Sequence, residues 1–160
     1  MDLDCITERQ LQILRILVAR LNKAGIDYQV SGGLAGNIHG SSWPLQDIDI
    51  EVARGHMLAI EQIFAEFVTE PLHYFENDEF RMFMVNLTIE GISVDINQAE
   101  GVFVNTNGDW SKLDTDLKMA DTISWRGLVV QVQPLHDLIH YKELLGRVVD
   151  VNELRLLSKR

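Results

Sequence analysis

The segment Asp47-Ile48-Asp49-Ile50-Glu51-Val52 alternates acid and aliphatic residues without a break. Side chains alternate faces along a strand, so the three acids share one face and the three aliphatics the other. The aliphatic face must look into a core. The same alternation returns in Ser93-Val94-Asp95-Ile96-Asn97, which turns Asp95 away from Val94 and Ile96. If the two strands are neighbours, Asp47, Asp49 and Asp95 converge. Convergent carboxylates repel, and a site that takes them out of water forces one to keep its proton. A bound divalent cation removes the repulsion. Ligation by oxygen alone favours magnesium or manganese over zinc. The competing reading is a solvated acidic face on an edge strand, and Glu51 taken alone is assigned to it.

Shortly before these acids stands Ser31-Gly32-Gly33. Glycines between a strand and a helix let a phosphate approach the backbone, and the helix start offers unpaired N–H groups. The Ser31 hydroxyl can add a further contact. The pair is not part of a P-loop, because no G-K-[ST] follows, and the dinucleotide fingerprint G-x-G-x-x-G is absent.

The elements that must hold these residues follow from periodicity and turn chemistry. Thr7 and Gln10 form a capping box, and Leu11, Leu14, Val18 and Leu21 then recur at helical spacing up to Gly25. Strands are predicted over 27–31 and 45–53, short helices over 34–40 and 57–67, and a loop over 41–44. Glu90-Gly91 and Arg126-Gly127 read as the turns of two hairpins, 80–89 with 92–98 and 121–125 with 128–133. The stretch 101–109, with two Asn and two Gly, reads as a loop and as the candidate mobile element. Pro134 opens a helix to about residue 145, and a last helix covers 151–157. Hairpins next to helical segments argue against a purely parallel, doubly wound sheet and predict an α/β fold with a mixed sheet backed by helices.

Four further features carry weaker signals. Lys142 falls in the middle of the stripe formed by Leu135, Leu138, Ile139 and Leu145, so it must snorkel or find an anion. His136 and His140 nearly match H-E-x-x-H, but the acid between them is Asp137 and both point off the apolar stripe, so zinc is disfavoured. His39, His56 and His73 are isolated and read as surface or satisfied core residues. Arg147 and Asp150 could pair at a helix end. Trp110 and Phe103 could stack on a base, although anchoring their loop to the core is the simpler role.

In combination these motifs resemble the nucleotidyltransferase superfamily of DNA polymerase β and the antibiotic nucleotidyltransferases. The resemblance rests on G-G-L-A at 32–35, H-G at 39–40, D-I-D at 47–49, V-D-I at 94–96 and the C-terminal run 134–150. It is similar in particular to small stand-alone members, some acting on small molecules and others sitting in toxin–antitoxin pairs. The resemblance implies a polymerase β-like fold spanning 1–160 as one domain. It implies transfer of a nucleoside monophosphate from an NTP, expected to be ATP, to an acceptor hydroxyl. Asp47, Asp49 and Asp95 would bind magnesium or manganese, with Asp95 also helping to deprotonate the acceptor. Ser31, Gly32 and Gly33 would cradle phosphates, and Lys142 would approach them or the structural acids. Relatives usually carry Arg and Thr in the loop before D-x-D, where this chain has Trp43 and Leu45. That departure keeps a second expectation open, a silent nucleotide-binding or toxin–antitoxin partner module. A metal-dependent hydrolase using the same acids is a third.

Composition bounds these readings. The chain has 160 residues, 46% of them hydrophobic, enough for one ordinary core. Its net charge of −10 argues against gripping a long nucleic-acid backbone, which needs a basic footprint. The expected acceptor is therefore a small molecule or a protein side chain. The start M-D-L-D-C-I-T-E is acidic and unlike a signal peptide, and a single cysteine, Cys5, cannot close an internal disulfide. Both fit a cytoplasmic protein. So small a domain leaves room for a homodimer or a protein partner to complete the site.

Overall fold

The computed structural model describes residues 5–159, so Met1–Asp4 of the acidic start lie outside the described residues. Among the described residues, nine strands form one mixed sheet in the order β7-β6-β4-β5-β2-β1-β9-β8, and β3 pairs with β4 off that path. The strands are β1 (Tyr28–Ser31), β2 (Ile48–Val52), β3 (Val68–Glu76), β4 (Phe80–Ile89), β5 (Ile92–Gln98), β6 (Val102–Thr106), β7 (Asp109–Leu113), β8 (Asp121–Trp125) and β9 (Leu128–Val132). The helices are α1 (Glu8–Lys23), α2 (Gly32–His39), α3 (Met57–Ile63), α4 (Leu135–Leu144) and α5 (Val148–Ser158). This is the expected α/β class with a mixed sheet. Two pairings are parallel, β2 with β5 and β1 with β9, and the rest are antiparallel. No helix among the described residues is long and apolar enough to cross a membrane.

The predicted capping box closes the start of α1. Thr7 Oγ1 accepts from the Gln10 amide at 3.1 Å, and Gln10 Oε1 accepts from the Thr7 amide at 2.8 Å. Both predicted hairpins form about Glu90-Gly91 and Arg126-Gly127, with positive φ at all four residues. On the central strand β2, Ile48, Ile50 and Val52 are fully buried. Each contributes about 1.5–3 kcal/mol by leaving water, so the strand cannot turn over without losing several kcal/mol. That fixes its acids on the opposite face, here called the front.

Four points of the sequence reading need correction. The segment 101–109 is not a loop: it forms most of the β6–β7 hairpin, turning at Asn107-Gly108, both at positive φ. β3 is a further strand that periodicity does not signal, because Pro71 interrupts it and its pairing with β4 shifts register twice. The strand predicted over 45–53 begins only at Ile48, since Leu45 is buried and held by backbone contacts instead: its amide donates to Cys5 O at 2.8 Å and its carbonyl accepts from Gln10 Nε2 at 3.1 Å. The helix over 57–67 likewise stops at Ile63 and gives way to a 3₁₀ turn, Ala65–Phe67.

Candidate active site

The parallel pairing of β2 with β5 sets Asp49 directly opposite Asp95, and Glu51 opposite Asn97. The antiparallel pairing of β1 with β2 sets Ser31 opposite Asp49. Because residues in register share a face, all of these project from the front of the sheet. They meet a cavity of about 310 Å³. Its polar side carries Ser31, Gly32, Gly33, Asp49, Glu51, Asp95 and Asn97, and Lys142 of α4. Its apolar side comes from Phe75, Phe80, Met82, Met84, Val102 and Leu113, with Tyr141 of α4.

Asp47 lies just before β2 and is exposed, outside the residues that line the cavity. Its charge still bears on both Asp49 and Asp95. Asp49 is pushed up to about 7, first by burial and then by Asp95, Asp47 and Glu51, while Lys142 opposes the shift. Asp95 is also raised, chiefly by burial, against a hydrogen bond of 2.6 Å from Asn86 Nδ2. Among the described residues, no three His, Cys, Asp or Glu side chains are gathered closely enough to cage a metal by themselves. Such a donor set does not suit a structural zinc. It suits magnesium, which takes one or two carboxylates and fills its other positions with water and substrate phosphates.

The double glycine opens α2. Gly32 has φ +60°, and a Cβ there would come within 2.7 Å of Asp49 Oδ2. The turn and the carboxylate therefore share space that only glycine leaves open. Trp43 answers the departure in the preceding loop. Its Nε1 donates to Gly33 O at 2.9 Å, and its ring occupies the place a Cβ of Gly36 would need. Asn37 Nδ2 donates to Trp43 O at 2.8 Å. The loop leading to Asp47 is thus pinned to α2 by an indole and an amide.

Lys142 finds an anion rather than snorkelling. It is buried, its Nζ is 3.1 Å from Asp150 Oδ2, and it lies 5.5 Å from the Trp43 ring centroid. Asp150 consequently does not pair with Arg147, whose guanidinium reaches Glu79 at 3.3 Å. His136 is exposed, with its Nε2 3.1 Å from Asp137 Oδ1. Neither Phe103 nor Trp110 lines the cavity: both sit on the back of the sheet, with Trp110 under the Arg81 guanidinium at 3.8 Å.

Glu51 overturns its assignment to a solvated edge. It lies on a central strand, faces the cavity and is pushed up to about 7 by burial, although Ser31, Gln29 and Thr115 hydrogen-bond to it. Its place as the third acid of the alternating run was the signal. Asn97, Asn86, Thr115 and Tyr141 were also missed, and single polar residues of this kind leave no spacing pattern to find.

No protein-family model matches the chain, and comparison with curated proteins finds no match. Solved structures do match. TM1012 of Thermotoga maritima, provisionally assigned as a nucleotidyltransferase, superposes with a TM-score of 0.77 at 26% identity, over 97% of this chain and 96% of that one. The antibiotic-resistance factor ANT(2'')-Ia gives a TM-score of 0.63 at 15% identity, covering 99% of this chain and 85% of that one. The lincosamide antibiotic adenylyltransferase LnuA, solved with lincomycin bound, gives 0.62 at 12% identity, over 95% and 98%. The fold is that of the nucleotidyltransferase superfamily.

Proposed function

We propose that the chain is a metal-dependent nucleotidyltransferase that moves a nucleoside monophosphate from an NTP, ATP in the first instance, to a hydroxyl of a small molecule or protein. The observation that carries this is the Asp49–Asp95 register pair, set against the Gly32 turn on the lining of the front cavity. The fold shared with TM1012 and LnuA supports it. Asp47, Asp49 and Asp95 would share bound magnesium or manganese, each ion resting on one or two of the carboxylates with water and phosphate oxygens filling its other positions, and the metal would supply positive charge against the phosphates and the entering and leaving oxygens. The backbone at Ser31–Gly33 binds phosphate oxygens at the start of α2. Asp95, steadied by Asn86, takes up the acceptor proton. Lys142, its charge balanced by Asp150, orients the phosphate end. The apolar side chains of the opposite wall, Phe75, Phe80, Met82, Met84, Val102 and Leu113 among them, exclude water. We further propose that residues 1–160 act as one domain in the cytoplasm, with a second copy or protein partner free to complete the acceptor side.

The anchored Trp43 favours a second reading, a module of the same fold that binds nucleotide without turnover. Incubation with magnesium, NTPs and an acceptor panel separates the two. Transfer predicts pyrophosphate release that Asp47→Ala and Asp49→Ala both abolish. Nucleotide binding without pyrophosphate selects the silent module, and cleavage that releases no pyrophosphate selects a hydrolase.

A further inference from the structure

The back of the sheet splits into two parts. Across β2 and β5, and along β4 from Val85, its residues belong to the main apolar core shared with α1, α2 and α3. Beyond that core, β3, β4, β6 and β7 carry their back-facing side chains into the open. Tyr74 is in register with Phe83, and Arg81 with Phe103. Tyr74, Phe83 and Phe103 remain 51%, 37% and 37% exposed, an uncommon concentration of uncovered aromatic surface. Together with Arg54, Arg81 and Gln98 they line a groove of about 290 Å³.

The groove wall differs in charge from the chain as a whole. The protein carries a net charge of −10, yet among the described residues the groove is lined by two guanidinium groups and no carboxylate, with Glu76 paired to Arg81 and Glu100 accepting from the Arg54 amide at 2.8 Å beside it. Arg81 is held in place by Glu76, 2.5 Å from its Nε, and by the Trp110 ring beneath it, leaving its terminal nitrogens as donors. Arg54 follows β2, and its Nη1 reaches toward Gly101 on the groove wall. Gln98 is fixed there, accepting from the Phe83 amide and donating to Gly101 O, both at 3.3 Å. The aromatic pair Tyr74–Phe83 is edge-to-face at 5.5 Å between centroids, a contact that takes up one face of one ring, while Phe103 and Phe83 each stay 37% exposed.

We propose that this groove is a second binding site, separate from the front cavity, for a small planar ring that bears an anionic group. The ring stacks on Phe83 and Phe103, and the anion takes charge-assisted hydrogen bonds from Arg54 and Arg81. Two sources share this chemistry, a nucleoside phosphate and an aromatic carboxylate. The site does not depend on the transfer reaction, because none of the carboxylates assigned to that reaction lines it.

Titration of the ¹⁵N-labelled chain without metal tests it, with AMP, benzoate and inorganic phosphate as separate probes. Saturable amide shifts at Phe83, Gln98, Gly101 and Phe103 with AMP alone assign a nucleoside phosphate, and with benzoate alone an aromatic carboxylate. Shifts with both establish the shared ring-and-anion chemistry. Arg54→Gln should weaken the response about fivefold or more, and Phe103→Ala should do likewise. Both side chains are exposed, so an otherwise unchanged spectrum reports an intact fold. The proposal is overturned if these amides stay still up to about 10 mM probe, if only front-cavity amides such as Gly33 and Asp49 move, or if phosphate alone reproduces the shifts.

Discussion

The two walls of the front cavity are built by different rules. One wall comes from β1, β2 and β5, where register pairing fixes Ser31, Asp49 and Asp95 in adjoining positions with fully buried aliphatics behind them. The other comes from β3, β4, β6, β7 and α4, where Phe75, Phe80, Met82, Met84 and Leu113 pack as a smaller apolar cluster at the sheet's end. The first wall holds charge that the fold works to keep in place. The second holds shape that side-chain rotation can change, and methionine is well suited to that. The difference assigns chemistry to the polar wall and fit to the apolar one.

Substitutions should separate the walls by what they change. The largest effect falls on the polar side: Asp49→Asn should lower transfer about 10³-fold or more, since metal-borne charge stabilisation is worth several kcal/mol. The same substitution should raise the thermal midpoint at pH 8, because it removes a buried charge that Asp95, Asp47 and Glu51 all repel. A gain in stability with a loss of turnover would mark Asp49 as a functional rather than a structural acid. Calorimetry and a pyrophosphate assay on one sample read both.

Gly32→Ala should come next. It places a Cβ at positive φ and 2.7 Å from Asp49 Oδ2, so stability should drop by roughly 1–3 kcal/mol in a denaturant titration. Nucleotide affinity should fall with it, as the Asp49 carboxylate is displaced.

The pH dependence of stability has a definite sign. Asp49 and Glu51 sit at about 7 in the folded chain, well above their ordinary values. Between those values and 7 the folded state holds protons that the unfolded chain has lost. Their stabilising contribution is therefore full at low pH and disappears as pH rises through 7. The free protein should lose roughly 3–5 kcal/mol between about pH 5 and pH 8. Asp49→Asn should flatten that slope, and added magnesium should offset it.

The apolar wall should give the smallest effects. Phe80 is half-buried and stacked on Tyr141 at 6.0 Å. Phe80→Ala should cost about 1–2 kcal/mol of stability, below the range for a fully buried ring. It should raise KM for the acceptor or nucleotide while leaving kcat within about threefold. A collapse of kcat instead would erase the distinction between the walls.

The polar wall was also the more legible in sequence. Strict alternation in 47–52 and 93–97 determines which side chains share a face, and apolar burial determines which face that is. Neighbouring strands then needed no more than parallel pairing to bring Asp49 and Asp95 together. The apolar wall was mostly hidden. Asn107-Gly108 is a strong hairpin turn, but the polar residues around it disguised β6 and β7 as a loop. Pro71 and two register shifts hid β3. Lys142 was recognisable as a lysine in need of an anion, yet its partner Asp150 lies on the next helix, set by the tertiary packing of α4 on α5. Glu51 was misjudged because a central strand and an edge strand read alike until the sheet order is known.

Calorimetric titration with ATP, in magnesium and then in EDTA, probes the proposed polar wall most directly. Saturable binding in magnesium should vanish in EDTA and be lost in both Asp47→Asn and Asp49→Asn, with the variants still folded. Binding that survives metal removal, or that neither substitution weakens, would contradict a metal-borne nucleotide site at these carboxylates.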